Sequence, residues 1–531
     1  MPRYESDVCI IGSGISAALL AQKLSELAPG ASVIIVEAGK KIFDFENRFR
    51  YRQRMLDYGE NPWPGDYIDD QNADGIISRT MTAGGLAMHF GAVSQRFSEE
   101  DLRLKSSYGL AADWPMGWSE LERYYCEAER RMGVAGEPGP YPEDRPSQPY
   151  PMPPMELSWN LVQLKEWAEK SGTGFASTPV CKNTVPYDGR RACIRCATCS
   201  VCPTGARYSP DFTLTRLLAD KKIQLHDRTL IHKLVPHDTG NTIVAAHGVH
   251  EDRPGDVVEY HAGTFIVASG YAWSSHLLLL SASSRFPAGV ANSSGLVGRY
   301  MNGHAFVSSI VELDAELYPG MNEPHSLVSR RFFRCDPKDF FVRHDFRIWE
   351  SAHRPAMRNA AGAVQFGDDV MSDWRTRGQR ARARLRAYYD VHPDRNSTLT
   401  LNPARRNRYG DPLPVIAHKL DAASEARVGR SREVISQRFQ DLARHNNGKI
   451  VSTQYSTYLD HPAGGCRMGT DPKESVTDSH GRTHDHPNLY VVGASTLPTG
   501  GCANGTLTFV ALTLRSAEQV AADVKRPGSP V

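Results

Sequence analysis

The opening segment, "DVCIIGSGISAALLAQKLSELAPGASVIIVEAGK" (7–40), constrains this chain more than any other. Val8 to Ile11 is a continuous apolar run, the pattern of a parallel strand buried on both faces. Gly12, Gly14 and Ala17 follow as G-x-G-x-x-A, and Ile15, Leu19, Leu20 and Leu24 then recur at helical spacing. "SVIIVEAG" reads as a second strand with Glu37 at its end. Gly12 permits a tight turn, Gly14 lets the backbone approach a pyrophosphate, and Ala17 is small enough for helix and strand to pack closely. The helix N-terminus offers free N–H groups and a positive dipole end to phosphates. Glu37 is placed to accept hydrogen bonds from a ribose. Strand, turn, helix, strand and acid in this order predict a Rossmann-type unit that binds a dinucleotide, without separating FAD from NAD.

The chain has 531 residues, too many for one simple core, so two or more lobes are expected. Lys+Arg 62 against Asp+Glu 60 gives no electrostatic case for nucleic acid. No apolar run reaches the roughly 18 residues of a bilayer span. The N-terminus runs straight into a strand with no cleavable signal of its own. The expectation is a cytoplasmic protein, or a periplasmic one exported with a signal-bearing partner. Six of the cysteines, Cys9, Cys126, Cys181, Cys335, Cys466 and Cys502, are scattered and read as small buried hydrophobes.

The last seventy or so residues separate the cofactors. "HPAGGCRMG" opens with His461, "NLYVVGAS" carries Gly493 and Ala494, and "GGCANGTLT" carries Asn504. With "ADWPMGWSELERYYCEAERRMGVAG" (112–136), "VASGYAWSSHLLLLS" (267–281), "SSGLVGRYMNGH" (293–304) and "NPARRNRYGDPLPVIAHKL" (402–420), the chain resembles the glucose–methanol–choline (GMC) oxidoreductases. The resemblance implies FAD and an α/β chain: a Rossmann-type FAD-binding lobe and a second, α+β substrate lobe built on an antiparallel sheet. It also implies that His461 and Asn504 face the flavin. Alcohol oxidation needs such a pair, because a hydroxyl proton must leave while hydride departs from carbon. A histidine, with a pKa near about 6.5, suits the base role, and an asparagine can hold the alcohol oxygen. Gly493 stands where family members often carry Asp. Gly493 and Ala494 remain expected cofactor contacts. His304, in "GRYMNGH", reads as structural.

"SRTMTAGGLAMHFGAVSQRF" (78–97) holds Gly84, Gly85 and His89. This version of the loop resembles pyranose oxidase-like members and membrane sugar dehydrogenases. There the histidine is bonded to the flavin 8-methyl carbon, so the resemblance implies a flavin tethered through His89.

"RACIRCATCSVCPTGARYS" (191–209) sets Cys193, Cys196, Cys199 and Cys202 at intervals of three. Disulfides at this spacing close small strained rings. Zinc favours two knuckles held apart by a longer connection. The run followed by proline is nearer a ferredoxin pattern, with its last gap one residue short. "CPTGARYS" is similar to a segment in large subunits of bacterial fructose, glucose and related sugar dehydrogenases, which carry FAD and an iron–sulfur cluster. Their cysteine spacing differs. Iron–sulfur, zinc, disulfide and free thiols stay open.

Residues 1–140, 205–305 and 455–531 are expected to form the FAD-binding lobe. Residues 141–204 form a connection with the cysteine-rich loop, and 306–454 the substrate lobe. "RTRGQRARARLRAYY" (375–389) reads as a solvated helix face, or else as a docking face for an acidic partner or anionic membrane. The expected reaction is FAD-dependent oxidation of a sugar or polyol. A cluster would relay electrons to a cytochrome, quinone or dye. The alternatives are a peroxide-producing oxidase with a structural cysteine loop, and a non-redox flavin-dependent lyase.

Overall fold

The structure is a computed structural model. It describes residues 2–41, 48–50, 53, 69–70, 81–142, 145–196, 198–314, 317, 325–334, 342–351, 358–359, 361–378, 381–456 and 460–525. Cys335 lies outside the described residues.

The apolar run at the N-terminus becomes the strand Arg3–Ile11, which lies between Val33–Val36 and Arg253–Val267 and parallel to both. Gln224–His226 extends the parallel side, and Leu489–Val491 joins Arg253–Val267. Ile243–His250 and Thr229–Pro236 complete this seven-stranded sheet as an antiparallel meander. Helix Ile15–Leu27 crosses back over the sheet and packs on the C-terminal helix Thr506–Val524. Ala17, Ala18 and Ala21 meet Ala517, Val520 and Ala521 in one core cluster. Small side chains on both helices let the backbones close on each other and on the strands.

A ten-stranded sheet forms the second layer. Its longest strand, Arg299–Leu313, pairs antiparallel with Ala381–Asp390 on one side and with Lys449–Tyr455 and Asp460–Gly465 on the other. Phe346–Glu350 lies beyond Ala381–Asp390. The strands Arg299–Leu313 and Asp460–Gly465 both run to the flank of the first sheet. Period-two alternation decides what each face does. Ala305, Val307, Val311 and Leu313 turn into a core with Val428, Ile435, Phe439 and Leu442 of helix Ala422–His445. His304, Phe306, Ser308 and Ile310 occupy the opposite face. The chain is thus α/β, with a Rossmann-type lobe and a second lobe on an antiparallel sheet, as the sequence predicts.

One segment differs from its sequence reading. Of residues 375–389, read as a helix face, 375–378 do end the helix Asp368–Gly378, but 381–389 lie in the strand Ala381–Asp390 inside the second sheet. Their alternation Ala-Arg-Ala-Arg-Leu-Arg-Ala has period two, which satisfies a half-buried strand: Ala381, Ala383, Leu385 and Ala387 are buried, and Arg382, Arg384 and Arg386 share the other face.

Candidate active site

A cavity of about 330 Å³ starts at the first turn and ends under the second sheet. Gly12, Gly14, Glu37, Gly85, Gly493 and Ala494 line it, as do His461 and the first residue of helix Thr506–Val524. Gly12 has φ +97°, and a Cβ there would lie 2.8 Å from the Ala268 carbonyl oxygen, so only glycine fits the turn. A Cβ on Gly14 would meet open space, which leaves the backbone bare toward the cavity. Ala17 packs in the helix–sheet core behind.

Glu37 is buried and does more than await a ribose. The Ser13 amide and hydroxyl donate to its Oε2 at 2.9 and 2.7 Å, and the Gly39 amide donates to Oε1 at 2.7 Å. Burial raises the Glu37 pKa against the pull of these bonds. The Gly84 amide in turn donates to the Ser13 hydroxyl at 2.9 Å. Ser13, passed over in the sequence, therefore joins the turn, the acid and the glycine loop. Gly493 has φ +94° and ψ −160°, a region open essentially to glycine, and its Cβ would sit 3.2 Å from Ser16 Oγ.

At the far end, His461 lines the cavity and meets Asn504, which lies behind the wall rather than on it. The Asn504 Nδ2 donates to His461 Nε2 at 2.6 Å. His461 sits in a bulged stretch of Asp460–Gly465 with φ +52°, a left-handed backbone rare for a non-glycine residue. The bulge turns the imidazole out of the strand and over the cavity. Its Nδ1 lies 2.6 Å from His304 Nε2, and His304 Nδ1 lies 3.2 Å from the Gly501 carbonyl. A carbonyl only accepts, so His304 carries its proton on Nδ1. His304 Nε2 must then accept from His461 Nδ1, which leaves the lone pair of His461 on Nε2, toward Asn504 and the cavity.

The Asn504 amide is oriented from behind. Arg347 donates to its Oδ1, and Asp345 Oδ2 accepts from Arg347 Nε at 2.5 Å. Tyr388 closes the group, its ring centroid 4.7 Å from that of His304 and 5.3 Å from that of His461. Burial, then Arg347 and Arg386, hold the His461 pKa down to about 3; burial, then His461, hold His304 to about 3. Both rings are neutral at physiological pH. The arrangement can take a proton from a hydroxyl at Nε2 while an amide N–H holds the oxygen. Arg347, Asp345 and the bonding role of His304 were not read from the sequence. The one local signal was Asp345 and Arg347 two apart at the start of the strand Phe346–Glu350.

His89 lies beside the cavity rather than on its wall, which that loop forms with Gly85, Leu86, Ala87 and Phe90. Burial, then Arg207, lower its pKa to about 4, so its imidazole is neutral. Arg207 is buried and donates to the carbonyls of Ala87, at 2.8 Å, and Met88.

The cysteine loop lies next to Arg207. All nine described cysteines are free, so no disulfide forms among them. No three of Cys193, Cys196, Cys199 and Cys202 bring their sulfurs within 4.8 Å of one another. A zinc site with Zn–S about 2.3 Å needs sulfurs about 3.8 Å apart, so the loop does not form one as it stands. The amides of Arg195 and Arg207 donate to the sulfurs of Cys193 and Cys202 at 3.4 and 3.5 Å. Burial opposes the Cys202 thiolate, but the Arg207 amide and guanidinium and Thr204 outweigh it and lower the pKa. Arg190 and Arg207 are both buried, and neither makes an ion pair with a carboxylate among the described residues. Two buried cations without acids favour a resident negative charge.

Comparison with known proteins agrees with this geometry. Residues 392–513 match the GMC oxidoreductase family. The chain is 30% identical to the fructose dehydrogenase large subunit of Gluconobacter japonicus, over 98% of each chain. It is 28% identical to the 6'''-hydroxyparomomycin C oxidase of Streptomyces lividus, over 97% of this chain and 91% of that one. The solved structure of pyridoxine 4-oxidase from Mesorbium loti superposes with a TM-score of 0.61 at 18% identity, covering 97% of this chain and 98% of that one, and supports the fold alone. With a dinucleotide turn at one end of the cavity and His461, bonded to Asn504, at the other, this chain belongs to the FAD-dependent GMC oxidoreductases.

Proposed function

We propose that the protein oxidises a sugar or polyol alcohol and passes the electrons through a cluster at Cys193, Cys196, Cys199 and Cys202 to an external acceptor. The observation that carries the oxidation is the 2.6 Å approach of Asn504 Nδ2 to His461 Nε2 at the end of the dinucleotide cavity. A substrate hydroxyl entering between them donates to Nε2 and accepts from Nδ2. His461 takes the proton, and His304 holds the ring so that Nε2 is the basic nitrogen. Arg347 and Asp345 keep the Asn504 N–H aimed at the oxygen. Bound FAD supplies the hydride acceptor, held by Gly12, Gly14, Glu37 and Gly493. His89, neutral beside the cavity wall, is the residue that would tether it.

The cluster reading rests on the Arg190 and Arg207 charges and on the Cys202 thiol, lowered beside Arg207 while burial raises that of Cys193. Iron bound in stoichiometric amount, with absorbance beyond the flavin bands, supports the relay; iron-free protein with full dye-linked turnover overturns it. The oxidase named among the relatives favours a second reading, in which oxygen takes the electrons. Rapid peroxide release without dye would select it. Anaerobic mixing with sugars and polyols tests the oxidation itself: the flavin should bleach, and failure with all of them ends this reading. Acid-precipitated protein that stays yellow, and a His89→Ala variant that does not, would establish the tether. The acceptor is proposed to be a cytochrome, quinone or partner subunit, in the cytoplasm or, with a signal-bearing partner, in the periplasm.

A further inference from the structure

The second sheet lays a cationic face over the catalytic pair. Arg347 and Arg386 stand directly opposite one another on Phe346–Glu350 and Ala381–Asp390, and Arg384 follows on the same face. Like charges facing across strands are destabilising. Asp345 is committed to Arg347, and Glu312 to Arg382 at 2.6 Å. Asp460 lies 3.6 Å from His461 Nδ1. Arg384 and Arg386 have no acid partner among the described residues. Arg386 donates to the Tyr388 hydroxyl at 3.2 Å, and its Nε is buried without a hydrogen-bond partner. Its guanidinium lies 4.3 Å from the Phe306 ring centroid and 5.6 Å from that of Trp349. Tyr388 joins this group to the catalytic histidines. Arg386 thus stands beside the catalytic group, while Arg384, two residues along the strand on the same face, is exposed to solvent.

From this juxtaposition we propose that the preferred substrate is an anionic polyhydroxy compound, a sugar acid or sugar phosphate, whose charged end is held by Arg384 and Arg386 while its alcohol meets His461 and Asn504. Aromatic rings beside paired guanidiniums fit a pyranose face or polyol chain next to a carboxylate or phosphate. The proposal rests on the oxidation argued above and narrows its substrate class.

The test compares kcat/KM for glucose, gluconate and glucose 6-phosphate with a dye acceptor, in the native flavoprotein and in Arg386→Met, Arg386→Lys and Arg384→Gln. The anionic compounds are expected to exceed glucose, with the better of the two identifying carboxylate or phosphate. The anionic-to-neutral ratio should fall about 10- to 100-fold in Arg386→Met, less in Arg384→Gln and least in Arg386→Lys, and it should fall with added salt. Using a ratio within each flavin-loaded variant removes any loss of folded protein. A ratio at or below one in the native protein, or unmoved by the variants, overturns the anion site and leaves alcohol oxidation standing. An effect confined to a protein acceptor assigns the face to docking and also overturns it. If no polyol, charged or neutral, reduces the flavin, the parent reading falls and takes this one with it.

Discussion

His304 Nε2 and His461 Nδ1 lie 2.6 Å apart, and that contact decides which nitrogen of His461 is the base. The Gly501 carbonyl sets the His304 tautomer, and His304 sets the next. A His304→Gln variant can still accept from Nδ1 through its side-chain carbonyl; His304→Ala cannot. The expected loss of kcat in His304→Ala is about 10- to 100-fold, short of the full 10²–10⁴-fold of general-base catalysis, with KM little changed. His304→Gln should recover much of it. Equal losses in the two variants would mean that ring packing, not the proton's position, is what matters.

The same burial fixes the pH behaviour. The His461 pKa is held to about 3, below its ordinary value, so the base form persists as the solution is acidified. Turnover per folded, flavin-loaded molecule should stay level from about pH 8 to about pH 5. Stability moves differently. Unfolded histidines protonate near about pH 6.5, whereas His304, His344, His392 and His461 are each held to about 3 in the fold. Below about pH 6.5 the unfolded chain binds more protons, so stability falls from there toward about pH 3. A kcat/KM profile with its acid limb near 6.5 would contradict the assignment of the base.

The Rossmann unit was legible because its parts are local: a buried strand, a turn that needs glycine and a helix, all within forty or so residues. His461 and Asn504 were legible through family segments. The groups that orient them were not. The His304–His461 and Arg347–Asn504 contacts each span 157 residues, and no local pattern announces such a meeting. Residues 381–390 are a different case. Their alternation was present in the sequence, but a dense run of arginines looks like a solvated helix until the neighbouring strands supply partners.

Gly493 offers a test of backbone rather than chemistry. Its φ of +94° suits almost no other residue. Gly493→Ala should cost about 1–3 kcal/mol and lower both the thermal midpoint and the flavin content. Gly493→Asp should be no better, because the new Cβ meets Ser16 whichever side chain follows. A stable, fully loaded Gly493→Asp protein would show that the turn relaxes.

Arg207 ties the flavin loop to the cysteine loop. One guanidinium donates to the carbonyls of Ala87 and Met88, and the amide of the same residue donates to Cys202 Sγ. Arg207→Met removes a buried cation and leaves two buried carbonyls without these donors, at about 1–3 kcal/mol for each unsatisfied group. It also takes away the charge that favours the Cys202 thiolate. Cys202→Ser, by contrast, leaves the Ala87 and Met88 contacts in place. The expected outcome is that Cys202→Ser loses iron and keeps FAD, while Arg207→Met loses iron and part of its FAD together. Iron and flavin measured on the same preparations separate the two. Full retention of both in Arg207→Met would mean that the loops are held independently, and that the buried charge serves neither cofactor.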